Sequence, residues 1–254
     1  MRNRVFTDPP ALIGHRGFGK NAEGRPRENT AESFGAAADA GVDWIELDVR
    51  RAGDDRLVVL HDPAWEDGTL VLERTAAELA RLGVITLDDA LEAIPPSVGV
   101  DIEVKPSAED ALVPPDQTPA ALLCPVLERE RSARPMLVTS FDATALLLVR
   151  ERVPEVPIGY ITWLTYPFDM AVATAKHLDA QILMAHTATY NEPTVAGRRS
   201  PGDVIEIAHK AGLELGAWAP LPEDLDKYLA AGVDAITVDD IPGAVAALRG
   251  DTEL

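Results

Sequence analysis

The chain has a single cysteine, Cys124. An intrachain disulfide is therefore excluded, and there is no thiolate cluster for zinc. Aromatic residues are scarce, at 5%. Long apolar runs are missing too: no uninterrupted stretch reaches membrane-spanning length, and the opening MRNRVFTDPP holds no apolar signal region. Positive charge is the third shortage. Lys and Arg total 23 against 42 Asp and Glu, a formal charge of −19 with a pI near 4.5. A nucleic-acid partner needs clustered Lys and Arg to meet its phosphates, so the balance argues against that class. It argues equally against an anionic membrane surface, and the acidity itself reads as solubility. These shortages predict a cytoplasmic enzyme acting on a small molecule, without membrane insertion and without specifying an oligomeric state.

What is present is a globular composition, 46% hydrophobic and 26% charged over 254 residues. Length alone suits one or two domains, but a single α/β barrel also has this size. Short apolar or alternating runs predict strands at Ala11–Gly14, Trp44–Val49, Leu57–Leu60, Val98–Val104, Met136–Thr139, Ile158–Ile161, Gln181–Met184, Leu213–Trp218 and Ala235–Val238. Helical patterns fill most gaps, roughly Thr30–Ala40, Thr86–Ile94, Thr118–Arg131, Asp142–Val153, Phe168–His177, Pro201–Ala211, Pro222–Ala231 and Pro242–Leu248. Thr30 reads as an N-cap, with Ser33, Phe34 and Ala37 on one face. Without Leu57–Leu60, eight strands alternate with helices. The expectation is a single (β/α)8 TIM barrel over 1–254 with a β-hairpin excursion after the second strand.

The hairpin lies in WIELDVRRAGDDRLVVLHD, residues 44–62. Ile45, Leu47 and Val49 alternate with Glu46, Asp48 and Arg50, so Glu46 and Asp48 share one face of a strand. Two adjacent carboxylates repel unless a cation or basic side chains neutralise them. The turn GDDR is far too short for a parallel crossover, so the chain doubles back and brings His61 level with that pair.

Barrel chemistry sits at the carboxyl ends of the strands. Those ends carry His15 and Arg16, Glu46 and Asp48, Glu103 and Lys105 (again two apart), then Ser140, Trp163, His186, Trp218 and Asp239. Each candidate also has a plainer reading. His15 suits a hydrogen-bonded structural group, and His61-Asp62 a turn. Glu46 and Asp48 suit a surface ladder with Arg50 and Arg51, and Glu103 with Lys105 an internal salt bridge. Arg198-Arg199, in the long Thr187–Ser200 loop, read as solvent-facing or as an anion grip, and His177 and His209 as surface groups. Gly14 to Asn21 nearly spells a phosphate-cradling G-x4-GK-[ST] loop, and AITVDD at 235–240 imitates its acidic strand. Asn21 has no hydroxyl for a metal, and AEGRPREN follows where a helix must begin, so the match reads as coincidence.

GHRG at 14–17, ENT at 28–30 with SF at 33–34, GVDWIELDV at 41–49, LVVLHD at 57–62 and IEVKP at 102–106 together resemble the glycerophosphodiester phosphodiesterases. Ser140-Phe141, Gly212 to Trp218 and GVDAITVD at 232–239 continue the likeness along the whole chain. The resemblance implies a (β/α)8 barrel in which Glu46, Asp48 and Glu103 hold one divalent cation. It implies His15 and His61 as an acid–base pair, Arg16 and Lys105 as phosphate ligands, and Glu28 as a supporting polar group. All-oxygen ligation suits Mg²⁺ or Ca²⁺, and two histidines suit proton transfer to and from a phosphodiester, a role that needs a pKa near working pH.

Two departures concern the substrate. Many relatives insert a module after the His-Asp hairpin, where this chain has only Pro63 to Val84. Relatives also commonly have Trp-Thr-x-Asn where Trp218-Ala-Pro-Leu stands, which keeps an aromatic platform and loses an amide. The expected reaction is hydrolysis of a glycerophosphodiester to glycerol 3-phosphate and an alcohol. Its rivals are a related barrel phospholipase or lyase acting on lysophospholipid or sphingomyelin head groups, and a non-catalytic barrel binding a phosphorylated ligand. The lyase needs an apolar tail channel, and no exposed hydrophobic loop is evident in the sequence.

Overall fold

Eight parallel strands close on themselves in the computed structural model, which describes residues 4–20, 24–164, 166–191, 193–194 and 197–249. The strands are β1 (Ala11–Gly14), β2 (Trp44–Arg51), β4 (Gly99–Val104), β5 (Met136–Ser140), β6 (Ile158–Thr162), β7 (Ile182–His186), β10 (Glu214–Trp218) and β11 (Ala235–Val238). Each pairs with the next, β11 pairs with β1, and β1 with β2, which closes the ring. β3 (Leu57–Val59) runs antiparallel on β2, outside the ring, as the hairpin predicts. The turn closes because Asp55 takes a left-handed φ of 60°, and Ala52 N–H donates to the Arg56 carbonyl at 2.8 Å. The fold is the TIM barrel expected, with every predicted strand present to within two residues. A small ribbon, β8 (Pro193–Thr194) with β9 (Gly197–Arg198), lies in the segment read as a loop.

The helices are α1 (Ala31–Asp39), α2 (Ala76–Ala80), α3 (Leu87–Ala93), α4 (Pro119–Glu130), α5 (Ala143–Arg152), α6 (Phe168–His177), α7 (Pro201–Lys210), α8 (Leu225–Ala231) and α9 (Ile241–Arg249). Thr30 caps α1 by accepting from Ser33 N–H at 3.2 Å, and Ser33, Phe34 and Ala37 are its buried face. Residues 63–84, the shortened insertion, are not a bare loop. They place Val71, Ala76, Leu79 and Val84 over Ala52 and Val58, a small core on the outer face of the hairpin.

Period-two alternation divides each strand between two environments. Ile45, Leu47 and Val49 of β2, and Val100, Ile102 and Val104 of β4, pack outward against the helices. The inward series begins apolar at the barrel floor, where Ala11, Ile13, Trp44, Leu137, Ile161, Ile182, Met184 and Ala235 form one cluster. Gly99 is required there, since a Cβ at that position would lie 2.3 Å from the Trp44 ring. Two residues further up, the same faces turn polar: Trp44 is followed by Glu46 and Asp48, and Gly99 by Asp101 and Glu103. The floor supplies the burial that holds the strands, and the upper rungs are left for chemistry.

Candidate active site

β2 and β4 pair with Glu46 opposite Asp101 and Asp48 opposite Glu103. All four carboxylates are buried. Glu46, Asp48 and Glu103 each bring an oxygen within 4.8 Å of the others. So much negative charge in one place shifts every member. Burial, with the charges of Asp48 and Glu103, holds Glu46 well above the usual carboxylate range. Burial pushes Glu103 up to about 7 against the pull of Lys105, and Asp101 up to about 8 despite a 2.8 Å hydrogen bond from Thr139 Oγ1. Asp48 goes the other way: burial raises it, but Lys105, Arg16 and His61 outweigh burial and hold it down.

Two cations do most of that work. Lys105 Nζ donates to Glu103 Oε1 at 2.6 Å and lies 3.3 Å from Asp48 Oδ1. Arg16, in the left-handed region at φ 52°, sends its Nε to 3.3 Å from Asp48 Oδ2 and its Nη1 to Glu28 Oε1 at 2.7 Å. Its backbone N–H donates to Glu46 Oε2 at 2.8 Å. The salt-bridge reading of Glu103 and Lys105 is therefore correct, and that bridge stands inside the site. The surface-ladder reading fails. Arg50 turns to the carbonyls of His61 and Lys105, and Arg51 pairs with Asp55 and Asp110, so neither reaches Glu46 or Asp48.

His15 and His61 flank the carboxylates, and an Asp backs each ring. His15 Nδ1 lies 2.7 Å from Asp239 Oδ1 and its Nε2 4.0 Å from Glu46 Oε2. His61 Nδ1 lies 2.7 Å from Asp62 Oδ1. Burial lowers the His61 pKa, and the charges of Lys105 and Arg16 lower it further, against Asp48. Both imidazoles line a cavity of about 240 Å³ with Arg16, Lys20, Glu46, Asp101, Glu103 and Lys105. Its opposite wall is apolar: Phe141, Trp163 and Trp218, with Met184 below. Trp218 is pinned by its Nε1–H to the Thr162 carbonyl at 3.2 Å, and Phe141 stacks on Trp163 at 4.4 Å. Trp163 on this rim is 62% exposed, and Leu164, the next residue in the chain, is 53% exposed. An exposed apolar rim thus exists that the sequence did not make evident.

The candidates outside this cluster are elsewhere for physical reasons. Arg199 pairs with Asp169 at 2.7 Å; the side chain of Arg198, like residues 192 and 195–196 of that segment and Asn21 of the nucleotide-loop look-alike, falls outside the described residues. His177 is exposed. His209 bonds to buried Asp234 at 2.6 Å, so it is a structural group rather than a purely surface one. Reading the sequence also missed Asn29. Its Nδ2 donates to Asp48 Oδ2 at 2.8 Å, from a left-handed φ of 57°. Asp101 and Thr139 were missed although they sit on the same inward alternation as Glu103 and Phe141.

The buried atom Glu46 Oε1 has no hydrogen-bond partner among the described residues, and Asp48 Oδ1 has only its 3.3 Å ion pair with Lys105. Buried polar groups are normally satisfied, and an open carboxylate oxygen beside two further acids is what a hard divalent cation takes. The donor set fits such an ion.

A parallel barrel with an acidic cluster, two imidazoles and two cations at its carboxyl rim has the groups that phosphoric diester hydrolysis uses. Residues 15–242 match the model of the glycerophosphoryl diester phosphodiesterase family. A glycerophosphodiester phosphodiesterase of Caldanaerobacter subterraneus subsp. tengcongensis is 27% identical, over 90% of this chain and 93% of its own. One from Bacillus altitudinis is 28% identical over 90% and 94%. Among solved structures, a phosphodiesterase of Oleispira antarctica in complex with the product sn-glycerol-3-phosphate superposes with a TM-score of 0.79. It is 25% identical, over 97% of this chain and 99% of that one. The chain belongs to the glycerophosphoryl diester phosphodiesterase family and is a phosphoric diester hydrolase.

Proposed function

We propose that the protein hydrolyses a glycerophosphodiester to glycerol 3-phosphate and an alcohol. In this reading Glu46, Asp48 and Glu103 hold one divalent cation, Mg²⁺ or Ca²⁺. That ion supplies positive charge against a non-bridging phosphate oxygen. Arg16 and Lys105 bind the phosphate, Glu28 holds Arg16 in place, and Trp218 packs on the organic group. One imidazole removes a proton from the attacking hydroxyl as its oxygen bonds to phosphorus. The other gives a proton to the departing alkoxide oxygen as its bond to phosphorus breaks. The attacking oxygen belongs to water or to the neighbouring substrate hydroxyl, the latter passing through a cyclic phosphate. The whole of 1–254 acts as one catalytic domain.

The observation that carries this reading is the pair of carboxylate-backed imidazoles lining one cavity with Glu46 and Glu103 of the buried acidic triad. The test is an assay with added Mg²⁺ or Ca²⁺ over a panel of glycerophosphodiesters, separating free glycerol 3-phosphate from cyclic product. Glycerol 3-phosphate takes up one ¹⁸O from labelled water by either route, so the routes are distinguished by trapping the cyclic phosphate, which forms without solvent oxygen. Failure to release either product from every member, with metal present, refutes the proposal.

The exposed Trp163 and Leu164 favour a second reading, in which the alcohol side of the substrate carries an acyl chain that rests on this rim. A lysophospholipid is the corresponding substrate.

A further inference from the structure

The look-alike of a nucleotide-binding loop has a different use here. Its two parts, GHRGFGK at 14–20 and Asp239 after β11, do come together, but around an imidazole. Asp239 Oδ1 accepts both from the His15 ring at 2.7 Å and from the Lys20 backbone N–H at 3.0 Å. The loop is wound tightly over it: Gly19 N–H donates to the His15 carbonyl at 3.0 Å, and Gly19 has φ +91°. A Cβ on Gly19 would fall 2.1 Å from the Asp239 carbonyl oxygen. From the far side Arg25 binds the same carbonyl, and it also pairs with Asp240 at 3.0 Å. The two carboxylate-backed histidines are therefore unequal. Asp62 is 73% exposed and adjacent in sequence to its ring, whereas Asp239 reaches His15 from across the barrel seam and is clamped by the loop it orients.

We propose that Asp239 is the positioning residue of His15, fixing its proton on Nδ1 so that the Nε2 lone pair faces the carboxylates and the phosphodiester. An ionised carboxylate only accepts hydrogen bonds, so the neutral ring must place its N–H toward Asp239. The inference rests on His15 acting in proton transfer, but its central measurement does not. An asparagine would still offer one oxygen to both the ring and Lys20 N–H, as Oδ1 does, so the variant that tests the proposal is Asp239→Ala. It removes the acceptor that holds the proton on Nδ1 and frees the ring to carry it on Nε2, where Glu46 Oε2, 4.0 Å away, is the acceptor that remains.

The experiment is ¹⁵N NMR of histidine-labelled protein, with and without Mg²⁺, with His15 assigned from its loss in His15→Gln. Wild type should show Nδ1–H and the Asp239→Ala variant Nε2–H. Turnover of the variant should fall by about 10²- to 10⁴-fold, the scale of an inverted imidazole in a catalytic triad, while KM and Mg²⁺ affinity stay within about threefold. A wild-type ring carrying its proton on Nε2 overturns the proposal, even if the variant does not fold. So does a variant that keeps the Nδ1–H form, whatever its activity, or one that changes tautomer and turns over as wild type.

Discussion

The guanidinium of Arg50 donates from Nε and Nη2 to one oxygen, the backbone carbonyl of His61, at 2.8 and 2.6 Å. Its Nη1 reaches the Lys105 carbonyl at 3.1 Å. A buried arginine thus ties the hairpin end that carries His61 to the β4 exit that carries Lys105. Arg50→Lys cannot make three such bonds. It should lower stability by about 1–3 kcal/mol, read by urea denaturation, and reduce turnover with it. Unchanged turnover would mean that the hairpin end holds its place without the clamp.

His15→Ala and His61→Ala should each reduce turnover by about 10²- to 10⁴-fold, the usual contribution of one acid or base. Circular dichroism and thermal midpoint should stay near wild type, since neither ring is part of the apolar floor. A variant of either kind with wild-type turnover would remove that residue from the proposed pair.

Chelation with EDTA should abolish activity, and Mg²⁺ or Ca²⁺ should restore it. Added metal should raise the thermal midpoint, by an amount equivalent to about 2.7 kcal/mol when free metal is a hundredfold above Kd. In Glu103→Gln this stabilisation should largely vanish, because the triad loses one of its charges. Metal-independent activity would defeat the cation assignment.

Stability without metal should fall as pH rises. Asp101 releases its proton near its ordinary 3.8 in the unfolded chain but only at about 8 when folded, and Glu103 only at about 7. Between about pH 4 and 8 the folded state therefore holds more protons than the unfolded one, and raising the pH penalises folding. Metal binds the deprotonated ligands, so the stabilisation by Mg²⁺ should grow over the same window. Thermal melts in EDTA at pH 5 and 8 read the slope directly, and Asp101→Asn should flatten it. A slope of the opposite sign would contradict the raised carboxyls.

Trp163→Ala tests the apolar rim. If an acyl chain rests there, KM for a lysophospholipid should rise several-fold while KM for glycerophosphocholine stays constant. Equal changes for both substrates would reject the second reading and leave the first intact.

Much of this was legible because barrel strands alternate. Ile45, Leu47 and Val49 mark one face of β2 and thereby assign Glu46 and Asp48 to the other. The same rule, applied through Glu103 to its lower neighbour, would have picked out Asp101. Asn29 was harder. It reaches Asp48 only because the chain adopts left-handed backbone at Arg16 and Asn29 and folds back, a feature periodicity does not record. The partnership of Asp239 with His15 spans 224 positions and exists only once the ring is closed. The exposure of Trp163 depends on how its loop leaves β6, which composition does not encode.

Ring closure itself is uneven. β2 and β4 share six registered positions, but β1 and β2 share two, Ile13 with Trp44 and Gly14 with Ile45. Immediately above that short join, Arg16 N–H grips the Glu46 carboxylate and Asn29 grips Asp48. The stitches that shut the cylinder are thus the same groups that shape its mouth. A chain whose first and second staves have parted has lost its reaction centre in the same movement, so activity during heating serves as a gauge of whether the cylinder is whole.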